Sequence, residues 1–275
     1  MSVAPSSLHH VPSDLDFVAH LTRESALFAD AIRQAAPDAP VPTCPDWNAD
    51  DLLWHLAEVQ WFWATIVREK MSRDQAQALK PPRPADRASL EEFYQDASRG
   101  LSQALAENPP DTAVWTWSDD HTVGFIRRRQ AHEALIHRID AELTAGRRTP
   151  ADPALSADGV DEALRVMYGS LPGWATFTAA PGQTLRLRAT DTGDSWLLTL
   201  GRFTGTDPGD GTGYDEPDAQ AAHQDPGTAA AAEVAGTAAD LDCWLWHRPP
   251  MGPVGQSGDR EVLDRYMAAI APGIS

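Results

Sequence analysis

The sequence contains few cysteines, few basic residues and no long hydrophobic run. Only Cys44 and Cys243 are present among its 275 residues. Two cysteines cannot form the dense disulfide framework of a small secreted fold, so both are predicted to be reduced thiols. The first residues lack a basic segment followed by an apolar one, and no apolar run approaches the ~20 residues that cross a bilayer. These absences predict a cytoplasmic protein without a membrane partner.

Basic residues are outnumbered by acidic ones. Lys and Arg total 22 and Asp and Glu total 40, which gives a formal net charge of -18. Such a charge repels phosphate backbones and anionic lipid headgroups. We therefore expect no broad binding to nucleic acids or membrane surfaces. A small anionic substrate stays open, because a metal ion or a single arginine can set the local field.

Apolar and aromatic residues are plentiful. Hydrophobic residues make up 42% of the chain and include ten tryptophans, which is typical of a globular protein with buried cores. At 275 residues, the length favours two domains.

Helical periodicity dominates the first half of the sequence. Asn48 with Asp51, and Ser89 with Glu92, are each spaced as a helix-capping pair. Apolar spacing and the Gly and Pro positions predict four helices, over residues 14–36, 48–70, 89–108 and 121–145. Four helices joined by loops predict a helical bundle.

The pattern changes near residue 183. QTLRLRAT and SWLLTL, separated by DTGD, predict two strands joined by a tight turn. Residues 204–239 have weak periodicity, so their sequence predicts no particular secondary-structure element. Thr237 with Asp240 can cap a helix through LDCWLWHR, and EVLDRYMAAI predicts a last helix. The predicted fold class is therefore α+β, with a helical bundle in residues 1–175 and a small α+β domain in residues 176–275.

The fourth helix contains a group of polar residues with metal-ligating chemistry. Glu133 and His137 are four apart and project from one helix face, where both can reach one ion. His132 lies about 140° around the helix from His137, so the two histidines are not expected to chelate together, and the string is not HExxH. Gln130 and Asp140 extend the polar stripe, and such a stripe usually faces water.

A third ligand is available on the second helix. His55 lies among leucines in DLLWHLAEV, on a strongly apolar helix. Two imidazoles and one carboxylate leave coordination positions open, which is typical of catalytic zinc. A core histidine and a solvated Glu/His pair explain the same residues, and the residues alone leave both interpretations open.

Two segments resemble one known family. CPDWNADDLLWHLAEV is similar to the N-terminal signature of the mycothiol-dependent maleylpyruvate isomerase family, and AHEALIHRIDAEL is similar to its second signature. The predicted hairpin and the helix ADLDCWLWHR resemble the small C-terminal domain of that family. The resemblance implies a DinB-like four-helix bundle in which His55, Glu133 and His137 are the ligands of Zn²⁺ or a similar divalent metal.

The resemblance also implies an activity. A zinc enzyme of this family uses a low-molecular-weight thiol, mycothiol, on a small electrophilic substrate, by isomerisation or by S-transfer. Arg248 is the candidate for holding an acidic substrate, although a basic residue at a helix C-terminus is equally explained by the helix dipole. The alternatives are a metal-assisted hydrolase and a non-catalytic metal-binding or thiol-binding module.

Two further features have simple structural explanations. The run Arg127, Arg128 and Arg129 points in nearly every direction around a helix and predicts a solvated cluster, with contact between one member and an anionic thiol cofactor or substrate left open. Cys44 is predicted to be a small packed residue rather than a nucleophile, since the resemblance implies an external thiol.

Overall fold

The computed structural model describes residues 15–274. Two compact units divide between Thr149 and Pro150. Within residues 15–274, no helix has both the length and the apolar character that a membrane span requires.

The first unit is built from four long helices, one short helix and a small hairpin. Its elements are α1 (Phe17–Ile32), β1 (Pro40–Val41), β2 (Cys44–Asn48), α2 (Ala49–Glu69), α3 (Arg73–Ala78), α4 (Arg87–Glu107) and α5 (Val123–Thr144). Helix α1 packs on α4 and α5, and α2 packs on the same two helices. This arrangement is the predicted four-helix bundle.

Side-chain caps fix where these helices begin. The side chain of Asn48 accepts a hydrogen bond from the backbone of Asp51, and the side chain of Asp51 accepts one from the backbone of Asn48, so the predicted capping box is present. Helix α4 begins two residues earlier than predicted, because its cap is Asp86 and not Ser89. The Ser89 backbone and hydroxyl both donate to Asp86.

The apolar faces of α1, α2 and α4 form the core of the first unit. Leu52, Leu53 and Leu56 of α2 are almost fully buried there, together with Phe28 and Tyr94. The β1–β2 hairpin leads directly into the α2 cap at Asn48, so the hairpin and α2 are positioned together.

The second unit is a five-stranded sheet with helices. Its elements are α6 (Pro153–Glu162) continuing as a π-helical turn (Ala163–Met167), β3 (Ala175–Ala189), β4 (Ser195–Thr206), β5 (Gly213–Ala221), β6 (Ala232–Gly236), α7 (Ala238–Leu245), β7 (Gly255–Gly258) and α8 (Arg260–Ile270). The strand order is β5-β4-β3-β6-β7, with β3 and β6 parallel and the other pairs antiparallel. The α+β fold class is confirmed.

The hairpin predicted from QTLRLRAT and SWLLTL forms the centre of this sheet. Gly193, in the turn between β3 and β4, has a φ of 84°, which glycine adopts without strain. Residues 204–239, which predict no single element, contain the rest of β4, the edge strand β5, and β6.

The division between the units lies earlier in the chain than the predicted boundary at 175/176. Val160 of α6, together with Ala163 and Leu164 of the π-helical turn, is buried in the same core as the sheet residues Leu185 and Leu198. Helix α6 therefore belongs to the second unit, because its apolar side chains pack there.

Candidate metal centre

His55, Glu133 and His137 lie together in the bundle. Each offers one donor atom, and these atoms all lie within 4.8 Å of one another. Glu133 Oε1 lies 3.4 Å from His55 Nε2 and 3.2 Å from His137 Nε2. Two nitrogen donors and one oxygen donor match the chemistry of zinc and similar borderline metals. This is the one such group of ligand side chains in residues 15–274.

Two helices and the hairpin position these side chains. Helix α2 buries its leucines and leaves His55 half-buried on the edge that faces α5. The ring of Trp47, the penultimate residue of β2, packs against His55 with its centroid 4.7 Å away. On α5, Glu133 and His137 are one turn apart and therefore share a face.

His137 has a second partner behind it. Its Nδ1 lies 3.0 Å from Asp140 Oδ2, and the other carboxylate oxygen of Asp140 accepts a 2.6 Å hydrogen bond from the Thr43 hydroxyl. Carboxylates only accept hydrogen bonds, so the protonated ring donates from Nδ1 to Asp140 and from Nε2 to Glu133. Carboxylate–histidine pairs of this kind orient metal-ligating histidines in many proteins.

Glu133 also has a second partner. Arg129, one turn earlier on α5, donates from Nη2 to Glu133 Oε2 at 2.8 Å. Arg129 is only 3% exposed. The two oxygens of Glu133 therefore have different partners, the histidines on one side and an arginine on the other.

The charges of this network shift two pKa values. Burial acts to raise the pKa of Glu133, but hydrogen bonds with His137 and His55 and the charge of Arg129 hold it well below its usual range. Burial acts to lower the pKa of His137, but hydrogen bonds and charges from Asp140 and Glu133 raise it to about 9. In the metal-free protein at neutral pH, Glu133 is thus ionised and His137 protonated.

The solvated arginine cluster predicted on α5 is wrong, and the polar stripe departs from the usual case of a stripe that faces water. Gln130, His137 and Asp140 are buried, so the polar stripe does not face water. Arg128 and Arg129 are also buried rather than solvated. Arg127 is half-buried, and it donates to the backbone oxygens of Leu105 and Asn108 at the end of α4. Helix α5 is surrounded on more sides than its sequence suggests, and Arg129, His137 and Asp140 have hydrogen-bond partners within the first unit.

Arg248 belongs to the second unit. It follows α7, where His247 has a left-handed φ of 56° and the Arg248 backbone N–H donates to Cys243 O at 2.7 Å. Its guanidinium Nη1 donates to Trp246 O, also at 2.7 Å. The basic side chain therefore bonds to the carboxyl end of α7, as the helix-dipole interpretation predicts.

The sequence does not predict the residues that position the donor side chains, although two of the three have a usable spacing. Arg129 and Asp140 each have a spacing signal, four residues before Glu133 and three residues after His137. Thr43 has none, since it lies 97 residues from Asp140 and only the fold joins them.

The fold and the site define a class: a four-helix bundle with a His/Glu/His donor set, followed by a small α+β unit. Residues 18–142 match the family model described as Mycothiol maleylpyruvate isomerase N-terminal domain. Residues 154–265 match the one described as MDMPI C-terminal domain. The chain belongs to the mycothiol-dependent maleylpyruvate isomerase family.

Solved structures show the same fold. A crystal structure of the mycothiol-dependent maleylpyruvate isomerase has a TM-score of 0.55, and a structure of a histidine-to-alanine mutant of that enzyme has a TM-score of 0.56. In each case the identity is 14%, and the match covers 89% of this chain and 93% of the other chain. Among curated proteins, no match is found.

Proposed function

We propose that this protein is a zinc-dependent enzyme that uses a low-molecular-weight thiol, mycothiol, to isomerise a small electrophilic substrate. The observation that supports the proposal is the convergence of His55, Glu133 and His137 in a chain of this family. The solved structures of the same fold are named for mycothiol-dependent isomerisation of maleylpyruvate. Both cysteines are free, which fits a reducing compartment such as the cytoplasm.

The chain's own residues have defined parts in this proposal. His55, Glu133 and His137 hold the metal, and Asp140 orients His137. Zinc, when bound, supplies a Lewis acid that lowers the pKa of a thiol and so favours thiolate at neutral pH. A thiolate that adds to a double bond conjugated with a carbonyl forms a C–S bond and moves the π electron pair onto the carbonyl as an enolate. After rotation about the new single bond, the enolate re-forms the double bond and expels the thiolate, which yields the isomer.

Arg248 is proposed to hold an anionic acceptor. The protein has a net charge of -18, so an anion needs a local cation in order to bind. Replacing Arg248 by Ala should leave metal content and thiol binding nearly intact. Turnover of an anionic acceptor should fall by the equivalent of roughly 1.5–3 kcal/mol, the contribution of one charge-assisted contact. Full turnover in the variant would refute this role and leave the metal proposal standing.

Elemental analysis tests the metal site. Wild-type protein should contain about one zinc per chain, whereas His55→Ala and His137→Ala should lose most of it. His20→Ala is the matched control, because His20 is also a half-buried histidine of the bundle but lies outside the donor set. Unchanged metal content in both site variants would end the proposal.

A thiol-dependence screen tests the reaction. Metal-loaded protein is given maleylpyruvate with mycothiol, with another low-molecular-weight thiol, or with no thiol. Turnover to an isomer only with mycothiol supports the proposal, and a product that retains sulfur indicates S-transfer. A hydrolysis product that forms equally with and without thiol indicates metal-assisted hydrolysis. Metal and thiol binding without turnover indicates a binding module.

A further inference from the structure

The buried Arg129 has a specific position relative to the metal donors. Its side chain is 4% exposed, and its guanidinium donates to Glu133 Oε2 at 2.8 Å. A buried guanidinium is costly unless a charged partner compensates it. An exposed arginine would be solvated at no such cost. The burial of Arg129 beside the carboxylate of Glu133 therefore calls for an explanation.

The two oxygens of Glu133 are not equivalent. Oε1 lies within 3.4 Å of the Nε2 atoms of His55 and His137, so it belongs to the donor group. Oε2 is bonded to Arg129. A carboxylate can bind a metal through one oxygen or through both, and the second mode requires both oxygens to face the ion.

We propose that Arg129 is a positioning residue that holds Glu133 by Oε2, so that the carboxylate offers only Oε1 to the metal. This inference rests on the metal site proposed above. With Glu133 restricted to one oxygen, the protein supplies three donor atoms. A tetrahedral zinc site then keeps its fourth position for an exchangeable ligand, and the proposed reaction requires that position for a thiol.

Arg129 also lowers the net negative charge of the donor group. Glu133 contributes one negative charge, and the adjacent guanidinium offsets it. A less negative donor set leaves the bound ion more attractive to an added anion such as a thiolate. Charge and geometry therefore act in the same direction, toward binding an external thiol.

Cobalt substitution gives a readout that does not depend on turnover. Co²⁺ absorbs visible light more strongly in a four-coordinate site than in a site of higher coordination number. The experiment loads Co²⁺ into wild type, Arg129→Met, Arg129→Gln and Arg128→Met, and then titrates each with 2-mercaptoethanol. Arg128→Met is the matched control, because it removes a neighbouring buried arginine and leaves the Arg129–Glu133 pair in place. Circular dichroism identifies which variants are folded.

The expected result is one Co²⁺ per chain in every folded variant. Wild type and Arg128→Met should share one visible spectrum and one thiol affinity. The Arg129 variants should absorb more weakly and bind the thiol about tenfold less tightly, a loss of about 1.4 kcal/mol. Wild-type spectrum and thiol affinity in a folded Arg129 variant would overturn the proposal, as would an equal change in Arg128→Met. Failure of wild type to bind Co²⁺ would overturn both this inference and the metal site itself.

Discussion

His137 has a different partner on each ring nitrogen, and these partners determine which nitrogen is available to a metal. Asp140 faces Nδ1, and Glu133 faces Nε2. Thr43 holds the outer oxygen of Asp140, so the orientation of a helical histidine depends on a hairpin residue distant in sequence. The nitrogen that would bind the proposed metal is therefore selected by groups outside the donor set.

Weakening this chain of hydrogen bonds should lower metal affinity. Asp140→Asn keeps the shape but removes the charge, and the dissociation constant for zinc should rise roughly 10–100-fold. Thr43→Val removes only the outer bond, worth about 1 kcal/mol, so a rise of about fivefold is expected. Competition with a chelating dye measures both. Thr22→Val, which removes a threonine hydroxyl bonded to Ser102, is the control, and equal affinities in all four proteins would contradict the prediction.

Metal affinity should also depend on pH through His137. Asp140 and Glu133 raise the pKa of this group to about 9, so His137 holds a proton at neutral pH. A metal needs the lone pair and must displace that proton. Apparent affinity should therefore rise about tenfold per pH unit up to pH 9 and level off above it. Competition titrations at several pH values measure the slope, and a flat profile between about pH 7 and 9 would contradict the assignment.

At the residue scale, the sequence predicts the donor residues better than the residues that position them. Helical spacing puts Glu133 and His137 on one face, and the structure places His55 beside them. That a metal binds there stays a prediction. The burial of Arg128 and Arg129 could not be predicted, because it depends on which elements surround α5 and not on the periodicity of α5 itself.

At the scale of elements, local signals were reliable where a cap or a turn fixes the backbone. The capping box at Asn48 and the turn with Gly193 were both predicted. Strand β5 was not, because it is a polar edge strand with the sequence GYDEPDAQA and lacks the alternation of a half-buried strand. Its identity is set by pairing with β4, which is a tertiary contact.

The loop between β5 and β6 is fixed to the sheet by one half-buried acid, Asp225. Asp225 accepts hydrogen bonds from Arg186 of β3 at 2.6 and 2.9 Å and from Ser195 of β4 at 2.7 Å. The Arg186 hydrogen bonds, assisted by Ser195 and Gly227, hold the pKa of Asp225 far below its usual range. A depressed pKa means that the ionised carboxylate stabilises the fold at pH values above about 4, and that this stabilisation is lost as the pH falls further.

Asp225→Asn should therefore destabilise the second unit by about 1.5–3 kcal/mol at neutral pH. The difference from wild type should shrink as the pH falls below about 4. Urea unfolding at several pH values measures it. Glu233→Gln is the control, because its ion pair with Arg188 is exposed and should contribute less than about 1 kcal/mol. A pH-independent difference for Asp225→Asn would show that the charge is not the cause.

On the scale of the whole molecule, each unit has its own hydrophobic core. The bundle core includes Phe28, Leu52 and Tyr94, and the second core includes Leu185 and Leu198. The family and the α+β class were predicted from the sequence. The division at Thr149 was not, because it depends on which core buries the apolar residues of α6, and that is a tertiary contact.

Removing the metal should leave the bundle folded. The donors join only α2 and α5, whereas all four long helices bury apolar faces independently of any ion. Protein treated with a chelator should keep its helical circular dichroism and lose thermal stability by an amount set by metal concentration. Complete loss of helical signal on chelation would instead indicate a structural metal.

The donor residues and the residues that position them lie in two short segments of the chain. Thr43, Trp47 and His55 come from residues 43–55, and Arg129, Glu133, His137 and Asp140 come from residues 129–140. Both stretches end before Thr149. A gene recombination event that exchanges everything after Thr149 would therefore keep the donor residues and the residues that position them together. Descendants could then acquire new second units, and with them new acceptors, without having to evolve this centre again.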